Sequence, residues 1–158
     1  MPHTVGPSDP PATDRILSEV TEERDILLRR AIYRFFADQG RAPRPEDVGA
    51  TPDDYRRLEA AHAIVTDDDG RIKFSNPFAD GPTDFLVAAG SRRWYAICAW
   101  DALGILAATG EDGRTRTDCS DCGQAIEVEA TGGEVQAGSA IAHFLVPAAR
   151  WYEDLAHT

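Results

Sequence analysis

The sequence predicts an α+β protein with helices in its first half and short strands in its second half. Apolar residues recur with helical spacing near the start of the chain, and a hairpin pattern lies at residues 64–74. Short apolar stretches separated by turn residues follow residue 85. The chain has 158 residues, 42% of them hydrophobic, which is enough to bury a core.

The chain begins with a segment that we expect to be disordered. Residues 1–13 are rich in proline and polar residues. A helix is expected to follow, with a break near Val20-Thr21 and an end at Gly40.

The next elements complete a helical segment with a hairpin. Residues 45–48 are expected to form one helical turn, and Thr51 is a good N-cap for a helix over 53–63. Residues 64–74 are expected to form a β-hairpin around an acidic turn. This order of elements predicts a winged-helix-like three-helix segment with a β-hairpin over residues 14–80.

Residues 81–158 are predicted to form a second domain, packed against the first across a proline-rich joint at 76–82. A helix over 96–108 is expected at its centre because that apolar run is long. The strands expected around it, in a small mixed β-sheet, are 85–87, 94–95, 115–118, 125–130, 134–136 and 141–146. Residues 151–155 are expected to form a closing helical turn.

Both halves of the chain are acidic, and the formal net charge is −11. Nucleic-acid backbones are bound mainly through cationic contacts, so we expect no nucleic-acid partner and no binding to anionic membranes. No apolar stretch reaches transmembrane length, and no secretion signal is visible. Three cysteines are an odd and low number, which favours reduced thiols and a cytoplasmic protein.

The central apolar run carries a thiol and a carboxyl group three residues apart. If the run is helical, Cys98 and Asp101 are neighbours. Burial in apolar surroundings would raise the pKa of both groups. A carboxyl group that stays protonated near neutral pH can deliver a proton, and a thiol that loses its proton can hold a soft metal. Cys98 and Asp101 are therefore the candidate catalytic residues.

The segment 95–103, Tyr-Ala-Ile-Cys-Ala-Trp-Asp-Ala-Leu, is similar to the signature of the alkylmercury (organomercurial) lyase family. A strand–cysteine–turn–strand element at 114–129 and the pair His143-Phe144 also resemble that family. The resemblance covers roughly residues 25–147, and only the central motif is specific.

The resemblance implies protonolysis of a carbon–mercury bond. Cys98 would be the first mercury ligand and Asp101 the proton donor. Thiolates are the soft ligands that Hg(II) prefers. No organic cofactor is implied, the substrate would be a small molecule, and low-molecular-weight thiols would carry the product away.

The sequence departs from the family at the second catalytic cysteine. No cysteine follows Cys122, and Ser139 stands at the position that matches the missing thiol. We also expect the C-terminal portion of the family pattern to be shortened.

Cys119 and Cys122 form a Cys-x-x-Cys turn and are candidate auxiliary thiols or metal ligands. A structural zinc site needs four ligands, so Cys98, His143 or Asp121 would have to join them. The resemblance implies a mainly structural role for Cys119, whereas Cys122 is additional.

Three other functions remain open at this point. The chain could be a diverged enzyme that uses Cys98 and Asp101 on a small organic molecule. It could instead be a protein that binds or senses a soft metal ion such as mercury, zinc or copper. A transcription regulator is the least favoured, because three aspartates occupy the tip of the hairpin, at 67–69, where a wing would meet phosphate.

Overall fold

The computed structural model describes residues 12–141, 144 and 147, with side chains described from residue 21 onward. His143, most of the expected strand over 141–146 and the expected helical turn over 151–155 lie outside the described residues, as does the tail up to residue 11. The elements in chain order are α1 (Ala12–Gln39), a 3₁₀ helix (Pro45–Val48), α2 (Pro52–Ala60), β1 (Val65–Thr66), β2 (Ile72–Ser75), β3 (Phe78–Ala79), β4 (Leu86–Ala89), β5 (Arg92–Ala96), α3 (Ala99–Thr109), β6 (Gly113–Asp118), β7 (Ala125–Thr131) and β8 (Glu134–Gln136). The α+β class is confirmed. None of the helices in this part of the chain has the length and apolar character that a bilayer crossing requires.

Helix α1 is a single continuous helix, so the predicted break at Val20-Thr21 is wrong. β-Branched residues lower helix propensity by only tenths of a kcal/mol, which is too little to interrupt a helix of 28 residues. The expected end is confirmed: Gly40 adopts a left-handed φ of 67° and its N–H donates to the carbonyl of Phe36 at 2.8 Å.

The expected order of helix, helical turn, helix and hairpin is present. Thr51 caps α2 as predicted, because its side chain accepts a hydrogen bond from the Asp54 N–H at 3.2 Å. Helix α2 ends earlier than expected, and His62 then takes a left-handed φ of 57°. The winged-helix classification of this segment stays a prediction.

All eight described strands belong to one antiparallel sheet, in the order β1-β2-β3-β5-β4-β6-β7-β8. The expectation of a small mixed sheet is therefore wrong. Strand β3 lies inside the predicted joint and pairs with β2 on one side and β5 on the other. A two-residue strand has no periodicity that a sequence pattern could reveal. It joins the two halves of the chain into one sheet.

Phe78 of β3 is fully buried and attaches α1 to this sheet. Its ring stacks on Phe36 with centroids 5.3 Å apart and meets the edge of Tyr33 at 5.0 Å. Trp94 of β5 is also buried, and its indole N–H donates to the carbonyls of Phe36 and Ala37 near the end of α1. These aromatic contacts place α1 against the strand that precedes Cys98.

The connection from β5 to β6 carries α3 across the sheet. Both strands pair antiparallel with β4, so they run parallel to each other with β4 between them. Helix α3 packs against all three strands, and Ala102, Ile105 and Leu106 form its buried side. The N-terminus of α3 consequently lies where β5 ends.

A buried carboxylate joins α2 to α1. Asp54 contacts Arg24 of α1 at 2.8 Å and Arg57 at 2.7 Å, and Arg57 also contacts Asp25 at 2.6 Å. The hydrogen bond from Arg24 is the main cause that holds the pKa of Asp54 far below its usual range. The charged form of Asp54 therefore stabilises the fold.

We expect Asp54→Asn to lower the free energy of unfolding at pH 7 by roughly 2 kcal/mol, because it removes charge-assisted hydrogen bonds. Since folding depresses the pKa of Asp54, the wild type should lose this contribution as pH falls below about 4. Urea denaturation between pH 3 and 7 measures both effects. Asp53→Asn in the exposed neighbouring position is the matched control and should cost less than about 1 kcal/mol. Equal losses in the two variants would contradict the assignment.

Candidate functional site

Cys98 lies between β5 and α3. Strand β5 pairs with β3 through Ala96, and Cys98 is still extended, with φ −146° and ψ 177°. It is the N-cap residue of α3, and its sulfur accepts the Asp101 N–H at 3.5 Å. The predicted helix start at residue 96 is therefore wrong, because strand pairing holds that residue in the sheet.

The thiol of Cys98 and the carboxylate of Asp101 contact each other directly. The thiol donates to Oδ2 of Asp101 over a sulfur–oxygen distance of 3.3 Å. Both side chains are half-buried. The expected proximity of the two groups is thus observed, in an N-cap arrangement and not on a helix interior. One proton lies between a soft nucleophile and an acid.

Burial raises the pKa of both groups. For Asp101, loss of solvation dominates and outweighs the opposing effect of the hydrogen bond that Cys98 donates. For Cys98, burial raises the thiol pKa, the Asp101 N–H lowers it, and the negative charge of Asp101 raises it further. The pair therefore retains a proton on sulfur at neutral pH, beside a carboxylate that can accept it.

Two aromatic residues lie near this pair. Tyr33 of α1 is half-buried, and its pKa is raised first by burial and then by the charge of Asp101. Trp100 is 59% exposed, and its ring meets the edge of Phe144 at 6.2 Å. The sequence had not identified Tyr33 as a site residue, because its position in the apolar pattern of α1 does not distinguish it from its aromatic neighbours.

Arg92 and Arg93, which are close to Asp101 in sequence, contact other groups. Arg92 contacts Glu111 at 2.5 Å, and Arg93 donates to the carbonyl of Gly90 at 2.9 Å. The partner that the structure does give Asp101 is the Cys98 thiol.

The Cys119–Cys122 pair occupies the turn between β6 and β7. The Cys119 N–H donates to the carbonyl of Gln124, and the Gly123 N–H donates to the carbonyl of Cys119, both at 2.8 Å. Cys119 is partly exposed and Cys122 is exposed, and neither forms a disulfide. Hydrogen bonds from the N–H groups of Cys122 and Asp121, followed by one from the Cys122 side chain, lower the pKa of Cys119.

Strand register places this turn and Cys98 at the same end of the sheet. Leu86 of β4 pairs with Tyr95 of β5 on one side and with Arg116 of β6 on the other. Cys98 lies three residues after Tyr95, and Cys119 lies three residues after Arg116. Strands β5 and β6 are two spacings apart, about 10 Å. The two sites are near each other along one edge of the fold.

Within the described residues, Cys119 and Cys122 do not form a metal-binding group with Cys98. No group of three or more His, Cys, Asp or Glu side chains with metal-binding geometry occurs there, so a zinc site built from Cys119, Cys122 and either Cys98 or Asp121 is not formed. Ser139 is exposed in the turn after β8, the edge strand of the sheet. Its equivalence to a second thiol stays a prediction.

Comparison with known proteins shows the family and the fold of this chain. The family model described as MerB, alkylmercury lyase, matches residues 78–158, just over half of the chain. A solved structure, the mercury-bound form of MerB2, is similar to this chain with a TM-score of 0.59 and 22% identity. The similarity covers 78% of this chain but only 63% of that one, and at this identity it shows the fold alone. No curated protein sequence matches the chain.

We expect Asp101→Asn to increase the fraction of Cys98 that is thiolate at neutral pH. The substitution removes a negative charge 3.3 Å from the sulfur and replaces an acceptor with an amide that can donate. The pKa of Cys98 should fall, so alkylation of Cys98 by iodoacetamide at pH 7.5 should accelerate. Peptide mapping by mass spectrometry measures the rate at each cysteine. Cys119 and Cys122 are the internal control, and an unchanged rate at Cys98 would contradict the coupling.

Proposed function

The chain belongs to the alkylmercury lyase family, and from this membership we propose that it cleaves the carbon–mercury bond of small organomercurials by protonolysis. The observation that carries the proposal is the hydrogen bond from the Cys98 thiol to Asp101. This hydrogen bond places a thiol that can bind mercury next to a carboxyl group that can pass a proton to the leaving carbon.

The first step is capture of the organomercurial cation by Cys98. The sulfur forms a bond to mercury, and its proton moves 3.3 Å along the existing hydrogen bond to the Asp101 carboxylate. Mercury is a soft ion and favours thiolate over oxygen ligands. Because burial raises the pKa of Asp101, the carboxyl group can hold the proton beside the bound substrate.

The second step is proton transfer to carbon. Asp101 donates its proton to the mercury-bound carbon as the carbon–mercury bond breaks, and the bonding electron pair forms the new C–H bond. The hydrocarbon leaves, Asp101 is again a carboxylate, and Hg(II) remains on the Cys98 thiolate. No electrons are gained or lost, and no organic cofactor is needed. Low-molecular-weight thiols are the proposed acceptors that return the protein to its starting state.

The N-terminal helices are proposed to act as a winged-helix-like packing module in a cytoplasmic enzyme, with no nucleic-acid role. Arg57 of α2 is bound by Asp25 and Asp54, and Arg56 is paired with Asp53. Each of these arginines faces an acidic partner, and the acidic turn at 67–69 would repel phosphate.

We expect the wild-type protein to release benzene from phenylmercury acetate, detected by gas chromatography of the headspace. Cys98→Ser should abolish release, because a hydroxyl does not replace a thiolate for mercury. Asp101→Asn should slow release by about 10²- to 10⁴-fold while mercury binding persists.

Three outcomes separate the candidate functions. Benzene release that Cys98→Ser leaves intact would contradict the proposed mechanism. Binding of mercury, zinc or copper by the reduced wild type without benzene release would favour a soft-metal-binding or sensing protein. Absence of both would favour a diverged enzyme acting on a small organic molecule through Cys98 and Asp101.

The pH dependence of single-turnover benzene release tests the proton source. The raised pKa of Cys98 keeps its proton available above the ordinary thiol value of 9.0. Release should therefore be level through neutral pH and fall only on the alkaline side of that value, measured without added thiol. A decline beginning below pH 7 would contradict a proton stored on the Cys98–Asp101 pair.

A further inference from the structure

We infer that Cys119 and Cys122 form a second soft-metal site, a dithiolate that accepts inorganic Hg(II) from Cys98 once the carbon has left. The statement that Hg(II) comes from Cys98 rests on the proposed function, whereas the binding of Hg(II) at Cys119 and Cys122 does not. Its ligand class is a soft divalent cation that binds two thiolates.

The turn holds both thiols within one four-residue segment. Two backbone hydrogen bonds close the turn, from the Cys119 N–H to the Gln124 carbonyl and from the Gly123 N–H back to the Cys119 carbonyl. Cys122 is exposed, so an incoming ion reaches the pair without opening the core.

The small number of thiols in the sequence favours this pair as the acceptor of Hg(II). The sequence contains three cysteines, so after cleavage Cys98 supplies one thiolate and only Cys119 and Cys122 remain. Hg(II) favours soft sulfur ligands. Two thiols in one turn raise the effective concentration of the second far above that of thiols in solution.

The path between the two sites follows the end of the sheet. Thr83 donates to the carbonyl of Ala96 at 2.7 Å, and the Ala96 N–H donates to the carbonyl of Phe85 at 3.0 Å, so residues 83–85 adjoin the chain just before Cys98. Phe85 in turn lines a surface cavity of about 580 Å³ together with Cys119. Residues 83–85 therefore lie between the chain that precedes Cys98 and the cavity that Cys119 lines.

Charge along this path favours a cation. Asp84 and Asp118 line the same cavity, and Asp121 lies within the turn. Arg116 is the one basic side chain that lines this cavity in the described part of the chain. The net effect is an acidic rim next to the two thiols, which attracts Hg(II).

The transfer is a ligand exchange without oxidation or reduction. A low-molecular-weight thiol forms a bond to mercury as the bond to the Cys98 sulfur breaks, and the proton of that carrier thiol passes to Cys98. Bonds to the Cys119 and Cys122 sulfurs then form as the carrier leaves mercury. Those two thiols release two protons, of which one returns to the carrier thiolate and one goes to solvent. The product is a neutral bis-thiolate complex, and the Cys98 thiol beside the Asp101 carboxylate is restored.

The test uses reduced full-length protein, mercuric chloride as the probe, and a fixed excess of the monothiol N-acetylcysteine as competitor. Native mass spectrometry counts retained mercury, and the ultraviolet thiolate-to-mercury charge-transfer band measures affinity. Wild type and Cys98→Ser should each retain one Hg(II) per chain. Cys119→Ser/Cys122→Ser should lose this ion, with an apparent affinity about 100-fold lower.

The controls keep the result interpretable. Ser120→Ala alters the same turn without removing a thiol and should retain mercury. Cys122→Ser changes only the exposed thiol and should lose the ion while its thermal unfolding matches wild type, which covers the case of a double variant that fails to fold. Retention of mercury by Cys122→Ser, or its loss from Cys98→Ser, would overturn the inference.

The outcome is independent of carbon–mercury cleavage, because the probe is inorganic. A protein that retains Hg(II) at the turn but releases no benzene from phenylmercury would refute the proposed function and leave the dithiolate site standing. Benzene release with no Hg(II) held at the turn would support the proposed function and refute the dithiolate site.

Discussion

The pairing of β5 on both sides is the constraint on which the site depends. The strand is hydrogen-bonded to β3 and β4, and it buries Trp94 and Ala96. Because that pairing continues through Ala96, Cys98 is still extended when α3 begins, and its sulfur caps the helix. The same geometry directs the Asp101 N–H and carboxylate toward the sulfur. A shift of one residue in β5 would turn the thiol to the other face of the sheet.

The N-terminal half contributes to this site by packing. Phe78 of β3 lies against rings of α1, and Trp94 donates to carbonyls near the end of the same helix. These contacts bring Tyr33 into the electrostatic field of Asp101. The ion pairs of Asp54 hold α2 on α1, the helix that carries Tyr33. The two halves are continuous in structure, since one sheet runs through both.

The thiols of the chain lie in two opposite environments. Burial and a neighbouring carboxylate raise the pKa of Cys98. Backbone N–H groups in an exposed turn lower the pKa of Cys119. The proposed protonolysis needs a retained proton, and the proposed retention of Hg(II) needs a thiolate. Separate positions on one end of the sheet provide the two environments that these proposals require.

Local interactions explain the features that could be predicted from the sequence. The Thr51 cap, the hairpin at 64–74 and the end of α1 at Gly40 depend on neighbouring residues, and the spacing of Cys98 and Asp101 kept them within reach of each other. The family was recognisable from the motif around Cys98 alone. Long-range packing set the strand inside the joint, the start of α3 after Ala96, the position of Tyr33 in the field of Asp101, and the shared end of the sheet for Cys98 and Cys119. Each of these depends on strand pairing or ring packing between distant segments, and the free energy of those contacts is not encoded in any short stretch of residues.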